Sequence, residues 1–176
     1  MDSFKKVLLP IFLVIIFLVA SGMFYRKSQG LSPLPFNTLK MDQSKETKTI
    51  KIGLVFIKAE VADNDSERNK GLSGRSSLEK NSGMLFVIAD NKSTPTFWMK
   101  GMKFPIDIIW IHSSPDDVKE GEIIQIDKNI EIPAIGTPDN KLNLYSPKSA
   151  VDYVLEVNSG YSNLNNIKVG DNVLIE

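Results

Sequence analysis

Two carboxylates stand inside runs of residues that otherwise avoid charge. Asp107 interrupts Phe104-Pro105-Ile106-Asp107-Ile108-Ile109-Trp110-Ile111, and Glu156 interrupts Tyr153-Val154-Leu155-Glu156-Val157. A carboxylate in apolar surroundings carries a heavy desolvation cost unless it is paired, hydrated or protonated. Asp107 held by Lys100 or Arg75 would be a hydrogen-bond acceptor or a general base. It would equally serve as a structural ion pair fixing strand register, or face water. Asp107 and Glu156 together form the only acid/base pair that could support hydrolysis, provided they face one cleft.

Arg68 and Arg75 are the only arginines after residue 48 and lie seven positions apart. On a continuous helix they would share a face and could fork onto a carboxylate or phosphate. Gly71 and Gly74 argue against such a helix, and the alternative is internal clamping of Asp107, Glu156 or backbone carbonyls. Trp98 and Trp110 could form an aromatic platform for a sugar or peptide, or pack in a core. Met84, Met99 and Met102 raise a soft copper site, but Met84 and Met99 sit in core-like runs, so no metal is expected. One histidine, His112, and no cysteine exclude ordinary zinc sites, thiolate chemistry and a disulfide framework. No nucleophile elbow or Walker pattern is present, and no cofactor is implied.

These residues must be positioned by strands. Ile50, Ile52, Leu54 and Phe56 alternate, then phase is lost near Val55-Phe56-Ile57, which predicts a bulge or two strands meeting at a bend. Asp65 to Arg68 can open a short helix ending near Gly71 or Gly74. Met84 to Ile88, Thr96 to Met99 and Ile106 to His112 are short runs of β-formers. Glu122 to Ile126 alternates, with Ile130 and Ile132 after a small turn. Tyr153 to Val157 is another strand, Ser162 to Ile167 a helical turn, and Asn172 to Ile175 a last strand. The pattern predicts a mainly β domain, a compact sandwich or barrel with one or two short helices.

The chain has 176 residues, enough for one domain with additions. Net charge is zero but unevenly spread: residues 1–48 hold seven Lys/Arg against three Asp/Glu, and residues 49–176 hold fourteen against eighteen. The mildly acidic globular part argues against nucleic acid as a partner. Val7 to Tyr25 carries no charge and is long enough to span a membrane of about 20 residues' thickness. Residues 1–27 therefore read as a signal anchor, with cleavage after Ala20-Ser21-Gly22, and hence secretion, as the alternative. Residues 28–48, rich in Ser, Pro, Gly, Lys and Gln, read as a flexible tether, and residues 49–176 as an extracytoplasmic β domain.

Four segments resemble a known family when taken in order. They are Glu67-Arg68-Asn69-Lys70-Gly71-Leu72-Ser73-Gly74-Arg75, then Gly83-Met84-Leu85-Phe86-Val87. Next comes Phe97-Trp98-Met99-Lys100 leading to Pro105-Ile106-Asp107. Last is Tyr153-Val154-Leu155-Glu156-Val157-Asn158-Ser159-Gly160, followed by Ile167-Lys168-Val169-Gly170-Asp171. Together they look like the bacterial and archaeal domain of unknown function 192. The resemblance covers the chain from about residue 55 to its end. It implies a sandwich-like β domain, often behind a signal or membrane segment, and brings no activity with it. Ser73 stands where a methionine is expected and Gly101-Met102 where Asn-Thr is expected, while Pro115 to Glu120 looks like a polar loop insertion.

The reading is a membrane-tethered module that binds a small polar molecule, a glycan or an envelope partner. The candidate residues are Arg68, Arg75, Trp98, Lys100, Asp107 and Glu156. The alternatives are a hydrolase using Asp107 and Glu156, or a purely structural envelope protein.

Overall fold

Period-two alternation becomes a barrel here because successive strands turn one apolar face inward and close on themselves. The computed structural model describes residues 17, 45–88, 94–114 and 116–176. The expected anchor, Phe17 apart, and the tether as far as residue 44 lie outside them. Among the described residues no helix is long and apolar enough to cross a membrane.

The strands are β1 (Thr47–Ile52), β2 (Val55–Ala62), β3 (Ser82–Val87), β4 (Phe97–Trp98), β5 (Ile106–Ser113), β6 (Glu120–Ile130), β7 (Leu144–Tyr145), β8 (Tyr153–Asn158) and β9 (Asn172–Ile175). Two short helices, α1 (Asp65–Lys70) and α2 (Tyr161–Leu164), punctuate them. Seven strands form a closed barrel in the order β1-β2-β3-β8-β5-β6-β9, and β4 and β7 form a separate two-stranded ribbon. Closure removes the sheet edges that would otherwise invite pairing with other chains. Every neighbouring pair in the barrel is antiparallel except β2 and β3, whose parallel crossover carries α1. Of the two architectures expected, the barrel is the one observed.

The lost phase near Val55 is a bend rather than a bulge: β1 ends at Ile52 and β2 begins at Val55, with Gly53 in the left-handed region between them. The helix opens at Asp65, and its cap is the preceding Asn64, whose side chain accepts from the Glu67 N–H. The turn expected between Ile126 and Ile130 is absent. β6 runs unbroken through it, with Asn129 at φ +53° and a register shift opposite Ile106 and Ile108. An irregularity in a paired strand, not a turn, breaks the alternation there.

The barrel wall separates two cores. Inside lie Ile50, Ile57, Leu85, Ile109, Ile111, Leu155 and Val157. Outside, Met84, Phe86, Ile108, Trp110 and Val154 project from β3, β5 and β8 and are roofed by the ribbon's Phe97 together with Leu72, which follows α1, and Met99, which follows β4. Because these three strands are buried on both faces, they read as nearly continuous apolar runs.

Gly83 marks how tightly the lumen is filled. A Cβ there would lie 2.8 Å from the Glu156 carbonyl oxygen, 3.1 Å from Leu155 Cδ1 and 3.3 Å from Ile57 Cγ2. Gly83→Ala is expected to lower stability by about 1–3 kcal/mol through overpacking, read as an earlier urea midpoint with an unchanged slope.

Candidate functional site

The two carboxylates face opposite sides of the barrel wall. Asp107 on β5 pairs with Val157, whereas Ile108 pairs with Glu156, so the strand period sends one acid inward and the other outward. They cannot flank one substrate bond, and the two-carboxylate hydrolase is not built.

Asp107 is completely buried. Its Oδ1 accepts from the backbone N–H groups of Asn129 at 2.9 Å and Gly160 at 3.0 Å, and its Oδ2 accepts from the N–H of Ser162 at 2.9 Å. The left-handed Gly160, φ +77°, turns the chain from β8 into α2 so that these donors converge. The expected cationic partners are elsewhere. Oriented backbone N–H groups supply what a guanidinium would have supplied, because a carboxylate is satisfied by any set of well-aimed donors.

Arg75 makes a two-pronged bond to Glu60, Nη1 to Oε1 at 2.5 Å and Nη2 to Oε2 at 2.6 Å, and Lys45 approaches the same carboxylate at 3.1 Å. The Arg75 hydrogen bonds, opposed by burial and helped by Lys45, hold the Glu60 carboxyl down at about 2. Lys100 pairs with Asp139 at 2.5 Å and lies 5.7 Å from the centre of the Trp98 ring. Arg68 is separated from Arg75 by the helix end at Gly71. It donates to the carbonyls of Asp63 at 2.5 Å and Val87 at 3.1 Å and to Asp65 at 2.7 Å. Both arginines therefore clamp the protein itself rather than stand ready as one fork.

Glu156 is different. It is 5 % exposed, flanked on the sheet by Met84 of β3 and Ile108 of β5, and it faces a pocket of about 400 Å³ outside the barrel. The pocket is lined by Leu72, Phe86, Phe97, Trp98, Met102 and Leu144, with Arg68, Lys70 and Thr96 among the polar residues. Phe86 and Leu72 are buried, whereas Trp98, Thr96, Lys70 and Leu144 are exposed, so the walls run from an apolar depth to a wetter mouth. Phe97 meets Phe86 edge-on at 4.9 Å and Trp110 at 5.5 Å, which fixes the ribbon over the barrel wall. Among the described residues no side chain bonds to the Glu156 carboxyl, and burial alone pushes it up to about 8. At neutral pH it is therefore mainly an uncharged acid on the floor of an apolar pocket.

Of the six sequence candidates, the pocket gathers Arg68, Trp98 and Glu156. Lys100 reaches it only through its contact with Trp98, and Arg75 and Asp107 lie elsewhere. Trp110 is core, its Nε1 donating to Asp127 at 2.7 Å. The apolar wall residues were not anticipated, although alternation in β8 already put Glu156 on the same face as Val154. A wider groove of about 630 Å³ at the other strand ends includes His112, whose Nδ1 lies 3.0 Å from Asp152 Oδ2, and none of the candidates.

The fold has relatives of known structure. A candidate transcription regulator from Sinorhizobium meliloti 1021 is 23 % identical, with a TM-score of 0.63 over 75 % of this chain and 95 % of its own. A protein of unknown function from Novosphingobium aromaticivorans DSM 12444 is 26 % identical, with a TM-score of 0.58 over 72 % of this chain and 82 % of its own. No curated protein matches the chain. The family described as Uncharacterized ACR, domain of unknown function 192, matches residues 45–175, and the chain belongs to that family.

Proposed function

We propose that this chain is a binding protein, a β barrel displayed outside the membrane by an N-terminal anchor, whose Glu156 pocket holds a small molecule with an apolar body and one polar head. The uncharged run Val7 to Tyr25 and the Pro- and Ser-rich stretch after it support the display. The pocket reading is carried by one observation: a buried carboxyl without a protein partner among the described residues at the base of an apolar, partly open cavity. Structure alone does not call for an acid there, because an apolar side chain would fill the site without the desolvation cost. Convergence of a few polar groups in an apolar pocket is the usual form of a small-molecule site. Trp98, half exposed at the mouth, offers a ring face to a sugar or flat ring in the ligand.

The test is a thermal-shift and NMR screen of the full-length protein against short glycans, polar metabolites, and aromatic amines and amides. Compounds that bind are expected to lose affinity by about tenfold in Trp98→Ala, as removal of a stacking ring commonly costs. They should also respond to Glu156→Gln. If every compound found binds both variants as well as it binds the parent, the pocket is not the site.

A further inference from the structure

We propose that the Glu156 pocket selects a ligand whose head is an organic ammonium, seated between the Glu156 carboxylate and the aromatic side chains Phe86, Phe97 and Trp98. This deepens the binding reading above and rests on it. The chemistry of the lining favours it. Among the described residues the one polar group at depth is a carboxyl, which when ionised only accepts hydrogen bonds, and an ammonium only donates them. A charge pair formed away from water is stronger than a neutral hydrogen bond in the same place. Aromatic faces add further attraction for a cation, and Trp98 has one beside it: the Lys100 ammonium, itself neutralised by Asp139 at 2.5 Å, lies 5.7 Å from its ring centre.

The charged groups that face Glu156 do not oppose this. On β3 and β5 its neighbours are Met84 and Ile108, which carry no charge. From α1 the pocket receives Arg68 and Lys70. Arg68 is balanced by Asp65 at 2.7 Å, and Lys70 is exposed, where water and salt screen it. Among the described residues of the lining there is no other titratable group.

Binding must then move a proton. With its carboxyl at about 8, Glu156 enters the reaction protonated at neutral pH. The incoming ammonium keeps its own proton, the Glu156 O–H bond breaks, and that proton leaves to solvent as the ion pair forms. Affinity should therefore tighten about tenfold from pH 6 to pH 7 and level off above pH 8. A neutral ligand that accepts a hydrogen bond from the protonated acid shows the reverse: constant affinity below pH 8 and weakening above it.

Two probes of one shape separate these cases. Phenethylammonium and phenylacetamide are titrated into the full-length protein by calorimetry, in two buffers of different ionisation enthalpy and from pH 6 to 9. Phenethylammonium is expected to bind with the tenfold slope and with release of nearly one proton at pH 6.5. Glu156→Gln should weaken it more than tenfold and flatten the slope, and should remove any weakening of phenylacetamide above pH 8. Should the variant not fold, the slope and proton release of the parent decide alone. Binding of phenylacetamide without phenethylammonium, or binding of phenethylammonium with no slope and no proton release, overturns the ammonium and leaves the pocket standing. If neither probe binds and neither perturbs tryptophan fluorescence, the ammonium and the pocket fall together.

Discussion

Replacing Asp107 with alanine is expected to cost about 3–5 kcal/mol of folding stability, the largest loss of any candidate residue. The reason lies in what the carboxylate leaves behind. Asn129, Gly160 and Ser162 each direct a backbone N–H at it within 3.0 Å, at the junction where β5, β6 and the turn into α2 meet. Alanine orphans all of these donors in a buried place, and an unmet buried donor carries its full desolvation penalty. Asparagine should lose roughly half as much, about 2 kcal/mol, because its oxygen can keep the Asn129 and Gly160 bonds while its amide nitrogen turns a donor towards the Ser162 N–H. Arg75→Ala and Lys100→Ala are the controls. Neither ion pair touches Asp107: the exposed Lys100 pair should cost no more than about 1 kcal/mol, and the part-buried, two-pronged Arg75 pair about 1–2 kcal/mol, still well below Asp107→Ala. Urea unfolding of the four variants checks the order. Asp107→Ala within 1 kcal/mol of the parent, or a larger loss in Arg75→Ala, would show that the acid at 107 is not the tie between these segments.

The strands were legible because two-residue alternation and apolar runs report burial directly, and β8 and β9 are read from their residues with little ambiguity; of the two glycines that could stop the helix, Gly71 is the one that does. Legibility failed where geometry outside the strand decides. Asn129 keeps β6 intact by taking a left-handed turn within a paired strand, and nothing in Asp127-Lys128-Asn129 distinguishes that from a hairpin. The partners of Asp107 escaped for a related reason: backbone N–H groups belong to every residue, so sequence types cannot announce them. Side-chain chemistry points to a cation for Asp107, whereas the fold answers with main-chain donors. Glu156 was visible as an acid in an apolar run. Its pocket was not, because the walls come from the α1 end, β3, β4 and β7, which only the roofing of the barrel brings together.

The second large effect is a stability that falls as pH rises. In the unfolded chain the Glu156 carboxyl titrates near its ordinary 4.5, and in the folded protein near about 8. Between those values the folded state holds a proton that the unfolded state has released, so raising the pH removes stability throughout that window and no further above it. The span corresponds to about 5 kcal/mol at its limit, and any water that follows the ionised carboxylate into the pocket reduces it. Glu60 acts in the opposite sense and in a different range. Its folded value of about 2 gives stability that is present above 4.5 and lost as pH falls from there. The two windows meet without overlapping, so the difference between the parent and Glu156→Gln isolates the buried acid. At pH 8 the glutamine variant is expected to be more stable than the parent by several kcal/mol, with the gap closing steadily towards pH 5. Parallel urea midpoints for the two proteins across that range would mean that Glu156 ionises in the folded state as freely as in water, and the uncharged acid on the pocket floor would have to be given up.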